Sequence, residues 1–167
     1  MTKPLVAIVM GSDSDLEIMR EAGKALDNFG IAHEIDIMSA HRSPARTIEF
    51  ARGAAARGLR VIIAGAGGAA HLAGVIAAET TLPVIGVPLA ATPLAGFDSL
   101  LAIVQMPAGI PVATVAVGKA GATNAGILAA QILATHDPEL EKKMQQHKRK
   151  LAEGVEEKSK KLKEQRP

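Results

Sequence analysis

Apolar runs of strand length alternate with helix-length amphipathic segments along most of the 167-residue chain. Residues 5–10 form a first continuous apolar run, as in a strand buried on both faces. Ile18, Met19, Ala22, Ala25, Leu26 and Phe29 then recur at the spacing of one helical face, and Gly30 follows as a C-terminal glycine should. Ile35 and Ile37 alternate with Glu34 and Asp36, a pattern that suits a strand near a sheet edge. Ser43 and Pro44 are typical of an N-cap and first helical position, and predict a helix to about Arg57. A third strand is expected at 61–64, followed by a glycine-rich loop over 65–71 and a small-residue helix to about Thr80. The fourth strand is expected at 83–87. A loop to Gly96 and a short helix to about Gln105 come next, then a turn bracketed by Pro107 and Pro111. A fifth strand is expected at 112–117 and an Ala-rich helix over about 122–134.

Five strands alternating with helices imply an α/β fold of three αβα layers, its parallel sheet covered on both faces. Right-handed crossovers leave few topologies, and the flavodoxin-like order 2-1-3-4-5 is the simplest. Its switch point lies between strands 1 and 3, where ligands bind at the carboxyl ends of the strands. The loops after strands 1, 2 and 3 are polar and glycine-rich, and would meet in that crevice. Residues 1–136 thus form one catalytic-type domain. Residues 137–167 form a charged helical tail, in which Leu140, Met144, His147, Leu151, Val155 and Leu162 make a narrow apolar seam interrupted by Gly154. So thin a stripe suits a groove on a neighbouring subunit better than a core; a solvated helix on its own domain is the plainer alternative.

Charge and composition narrow the function. The net charge of +2 resides in the tail: residues 137–167 carry a net +3 and residues 1–136 a net −1. A near-neutral body with no Tyr or Trp argues against a nucleic-acid partner. It also argues against a flavin module on the same fold, which commonly stacks aromatics on its ligand. The absence of Cys excludes disulfides and thiolate metal sites. The N-terminal apolar run is too short for a signal or membrane segment, so the expected location is the cytoplasm.

Three loops carry candidate chemistry. Gly11-Ser12-Asp13-Ser14-Asp15 joins a strand to a helix start, where backbone N–H groups and hydroxyls bind anions. Asp15 could accept hydrogen bonds from a sugar, although Ser and Asp there would also serve as plain caps. Gly65-Ala66-Gly67-Gly68-Ala69-Ala70 formally fits a dinucleotide fingerprint, but no acid follows the next strand. The loop is better suited to backbone contact with a small flat ligand. His41 and His71 stand in adjacent strand-end loops, without the spacing of a zinc site. Arg42, beside a serine-rich helix start, suits a phosphate. P-loop and Gly-x-Ser-x-Gly motifs are absent. These residues point to a phosphorylated metabolite and an imidazole acid–base, without naming a reaction.

Four segments taken together go further: Met10-Gly11-Ser12-Asp13-Ser14-Asp15, Ser39-Ala40-His41-Arg42, the stretch from Ala64 to Leu72, and Gln105-Met106-Pro107 with Gly109-Ile110-Pro111-Val112. In order and spacing they resemble the class I phosphoribosylaminoimidazole carboxylase catalytic subunits, the N5-carboxyaminoimidazole ribonucleotide mutases of purine biosynthesis. The resemblance covers about residues 4–136. It departs at Ser43, Ala73, Ala108 and the loop 89–93. It implies a homo-octamer with active sites at subunit junctions, and neither metal nor cofactor. It implies that His41 transfers the proton and that Ser12, Ser14, Asp15, Ser39 and Arg42 hold the ribose phosphate. Gly67, Gly68, His71 and Leu72 would border the imidazole and the carboxylate. Class II relatives instead join free CO2 to aminoimidazole ribonucleotide; the motifs here resemble class I.

Overall fold

In a computed structural model, which describes residues 3–165, five parallel strands lie in the order β2-β1-β3-β4-β5. They are β1 (Val6–Met10), β2 (His33–Ile37), β3 (Val61–Gly67), β4 (Val84–Leu89) and β5 (Ala113–Thr114). The helices are α1 (Leu16–Phe29), α2 (Pro44–Gly53), α3 (Leu72–Glu79), α4 (Phe97–Val104), α5 (Lys119–Ala134) and α6 (Pro138–Glu164). This is the expected flavodoxin-like architecture. Period-two alternation divides each central strand between two cores. Val6, Ile8 and Met10 join Val61, Ile63, Ile85 and Val87 under α1 and α5. Ala7 and Val9 join Ile62, Ala64 and Val84 under α2, α3 and α4. With no large aromatic in the sheet, small residues bring the helices close. β1 is buried throughout, whereas β2, at the edge, leaves Ile35 and Ile37 partly exposed.

Several boundaries differ from those expected. α2 stops at Gly53 and residues 54–58 form a turn. β3 continues through Gly65 and Gly67, pairing with Val87 and Leu89 of β4. β5 is reduced to Ala113–Thr114, although the chain stays beside β4 through hydrogen bonds from Val115 to Gly86 and from Gly118 to Pro88. α5 starts earlier, at Lys119.

The C-terminal helix runs unbroken through Gly154. Asp137 caps it by accepting from the N–H groups of Glu139 and Leu140, at 3.0 and 3.1 Å. Its first half packs on the chain's own core: Leu140 and Met144 are buried, and Lys143 donates to the Phe29 carbonyl at the end of α1 (2.8 Å). Leu151, Val155 and Leu162, farther along the seam, are exposed. Among the described residues, no helix is long and apolar enough to cross a membrane.

Candidate active site

The carboxyl ends of β1, β2 and β3 converge, as the strand order requires. Met38 N–H donates to the Met10 carbonyl (2.9 Å), holding the segment after β2 beside the end of β1. After β1 the chain makes a 3₁₀ turn, Asp13–Asp15, before α1. The Ser12 hydroxyl accepts from the N–H and hydroxyl of Ser14, at 3.4 and 3.0 Å, and donates to Asp13 Oδ1. Two hydroxyls and several N–H groups are thereby collected at one helix start.

The loop after β2 is braced from within. Ser39 Oγ accepts from the backbone N–H of His41 and of Arg42, at 3.3 and 3.1 Å. Ser43 and Pro44 stand at the expected N-cap and first helical positions, but the Ser43 hydroxyl accepts from Ser39 N–H (2.9 Å) and makes no cap bond to α2. Buried Thr47 shares its hydroxyl proton between the carbonyls of Ser39 and Ser43. Arg42 reaches across to donate to the Gly11 carbonyl (2.7 Å), tying this loop to the one after β1.

A cleft of about 200 Å³ opens between these loops and the end of β3. Its lining includes Ser12, Ser14, Asp15, Ser39, His41, Arg42, Gly67, His71 and Leu72, so nearly every expected site residue shares one wall system. Gly68 does not line it; this residue turns the chain with φ of 60° beside the Thr92 methyl. Lys119, at the start of α5, is paired with Glu17 (2.8 Å) and does not line the cleft. Arg46, which was not anticipated, borders a neighbouring depression beyond Arg42, where it is paired with Asp36 (2.7 Å).

Two features of the cleft were missed in the sequence. Ala91, from the loop after β4, forms part of the wall, seated so close to Gly67 that a Cβ there would lie 2.5 Å from the Ala91 methyl. Gly67 is therefore required by close approach. An alanine in a loop carries no sequence signal for such a role. The second feature is a direct hydrogen bond of 2.7 Å between His41 Nε2 and His71 Nδ1, with the rings edge to face.

Asp15 is 8% exposed and makes no cap to α1. Burial raises its carboxyl above the ordinary carboxylate range, opposed by hydrogen bonding from Ser12 and Ser14 and by the Arg42 charge. A buried carboxyl facing a polar cleft, with no capping duty, is available to a ligand's hydroxyl groups. Among the described residues no three His, Asp or Glu side chains are grouped as a metal site would need.

A doubly wound α/β protein with hydroxyls, an arginine and a histidine pair at its switch point has the groups needed to bind a small phosphorylated metabolite and move a proton on it. Comparison with known proteins defines it further: the chain belongs to the AIR carboxylase family, whose model matches residues 5–154. It is 56% identical to the N5-carboxyaminoimidazole ribonucleotide mutase of Pyrococcus horikoshii, over 97% of this chain and 90% of that one. It is 55% identical to the enzyme of that name from Thermotoga maritima, covering 95% and 92%. Among solved structures it resembles Treponema denticola PurE with a TM-score of 0.86 and 30% identity, over 96% of this chain and 99% of that one.

Proposed function

We infer that this chain is an isomerase that interconverts N5-carboxyaminoimidazole ribonucleotide and 4-carboxy-5-aminoimidazole ribonucleotide in purine biosynthesis. The observation that carries the inference is identity of 55–56% to relatives of that name over nearly the whole chain, together with His41 in the switch-point cleft. Arg42, the Ser12 and Ser14 hydroxyls and Ser39 hold the ribose phosphate, and Asp15 accepts from the ribose. Gly67, His71 and Leu72 border the imidazole, where missing side chains let backbone approach the ring, and Gly68 shapes the turn behind them.

The chemistry requires one proton to leave and one to return. The bond from the exocyclic nitrogen to its carboxylate breaks, releasing CO2, and that nitrogen takes a proton. C4 of the electron-rich aminoimidazole then attacks CO2, which leaves C4 tetrahedral with both hydrogen and carboxylate. Loss of the C4 proton restores aromaticity. A single imidazole can supply the first proton and take the second, with no net exchange. His41 is assigned that role because it sits in the cleft one residue from the phosphate-binding Arg42. Small Gly and Ala side chains at Gly67, Ala70 and Ala91 leave room for CO2 beside the ring.

The protein acts as a homo-oligomer, with an octamer proposed, and in the cytoplasm. The oligomer is supported by apolar side chains that one chain leaves uncovered, among them Leu94, Phe97, Leu101 and Val104 around α4 and the outer seam of α6. Nucleic acid, membrane, metal and cofactor have no part in the scheme. Incubating the protein with N5-carboxyaminoimidazole ribonucleotide and following the 4-carboxy product tests the assignment. Failure to form that product without added bicarbonate would reject it.

A further inference from the structure

The contact between His41 and His71 does more than bring two rings together. At 2.7 Å, Nε2 of His41 and Nδ1 of His71 share one proton, so one nitrogen donates and the other offers a lone pair. No hydrogen-bond partner is found for His41 Nδ1 among the described residues, whose only other His41 bond is from its backbone N–H to Ser39. If His71 were the donor, the lone pair of neutral His41 would be spent on that bond. Its Nδ1 would already carry a proton, and His41 could not act as a base without breaking the contact. If His41 is the donor, Nδ1 is a free lone pair aimed away from His71. Protonation there leaves the Nε2–H bond in place and strengthens it, because the donor ring becomes charged. The same bond then serves both protonation states. His71 stands at the N-terminus of α3, and the positive end of a helix is a poor place for a second charge.

We propose that His71 is a positioning residue: its Nδ1 accepts from Nε2–H of His41, and His41 exchanges protons with the substrate through Nδ1. The proposal rests on His41 being the proton-transfer group. It names the working atom and explains why a second histidine stands beside the first. His71 neither gains nor loses a proton in the cycle.

The direct test is NMR of the native protein labelled with 15N-histidine, with the His41 signals identified by their loss in His41→Asn. The expected result is a 15N–15N coupling across the hydrogen bond, with the one-bond N–H coupling on His41 Nε2 and none on His71 Nδ1. A one-bond coupling on His71 Nδ1, or no coupling between the rings, overturns the proposal. A kinetic arm compares two variants that differ in acceptor. His71→Leu removes the lone pair and lowers kcat by about tenfold to a hundredfold with little change in KM, less than loss of the acid–base group itself. His71→Asn presents an amide oxygen near the Nδ1 position and recovers at least about half of that loss on a logarithmic scale. Equal kcat values for the Leu and Asn variants would refute a role through the lone pair. A native rate in His41→Asn would instead remove the proton-shuttle assignment, and is distinguished from failure of the ring contact by the coupling measured in the native protein.

Discussion

Replacing Arg42 with alanine separates a binding role from a structural one. In the free protein the guanidinium is exposed and makes one hydrogen bond, to the Gly11 carbonyl at 2.7 Å. Gly11 is only half-buried, so water can replace that donor. The stability cost is therefore about 0–1 kcal/mol, as for other exposed charged contacts. In a chain of this length that lowers Tm by no more than about 2–4 °C. Bound phosphate changes the magnitude, because a charge-assisted hydrogen bond contributes about 1.5–3 kcal/mol. At about 1.4 kcal/mol per decade, Arg42→Ala weakens nucleotide binding by roughly one to two decades. Arg42→Lys keeps the charge but loses the planar fork, and should recover only part of the loss. Calorimetric titration with the 4-carboxy ribonucleotide gives Kd for each variant, and melts of the same samples give Tm. An unchanged Kd in Arg42→Ala, or a loss of affinity that merely follows a large fall in Tm, refutes the phosphate assignment.

Burial holds the Asp15 carboxyl above its ordinary value of 3.8, so its contribution to stability is full below that value and is lost as pH rises through the folded value. Asp15→Asn should therefore gain more Tm relative to the native chain at pH 7 than below pH 3.8, while losing nucleotide affinity; an equal Tm difference at both pH values contradicts this. Gly67→Ala forces a methyl to within 2.5 Å of Ala91 and 3.2 Å of the Leu89 carbonyl. Overpacking should cost about 1–3 kcal/mol in a urea titration, and native stability would show that the wall yields freely. Deleting residues 151–167 removes only exposed parts of the seam, so it should change chain stability by no more than about 0.5 kcal/mol yet shift sedimentation toward smaller species. Unchanged sedimentation would exclude the outer seam as an assembly element. Deletion from Asp137 onward also strips buried Leu140 and Met144 from the core, and should lower Tm sharply in a thermal melt; a native Tm would contradict that packing.

The βα alternation was legible because β1, β3 and β4 are buried on both faces and read as continuous apolar runs. Errors arose where a residue type has two physical uses. Gly65 and Gly67 read as turn residues, but they pair with β4 as part of β3 and are glycine because Met19 and Ala91 leave no space for a side chain. Gly154 reads as a helix break. In a solvated helix rich in Lys and Glu, a single glycine costs only about 1 kcal/mol, and α6 continues through it. The tail's seam divides because its neighbours change along its length: Leu140 and Met144 lie over the end of α1, and Leu151 extends beyond it. In the candidate site, hydroxyl, guanidinium and imidazole groups are chemically conspicuous, and the strand order predicts that their loops meet. The His41–His71 hydrogen bond was not legible, because it depends on how the loops ending β2 and β3 orient two side chains thirty positions apart.

The most direct measurement of the central claim is the rate of carboxylate transfer in native and His41→Asn protein, each supplied with N5-carboxyaminoimidazole ribonucleotide with and without bicarbonate. The native chain should form the 4-carboxy product without bicarbonate and at a rate that bicarbonate does not raise. His41→Asn should still bind nucleotide but lose at least about two decades in kcat, the span of general acid–base catalysis. A near-native rate in His41→Asn would contradict the proton-shuttle assignment. Strict dependence on bicarbonate, with aminoimidazole ribonucleotide as the substrate consumed, would contradict the mutase assignment and make the chain a carboxylase.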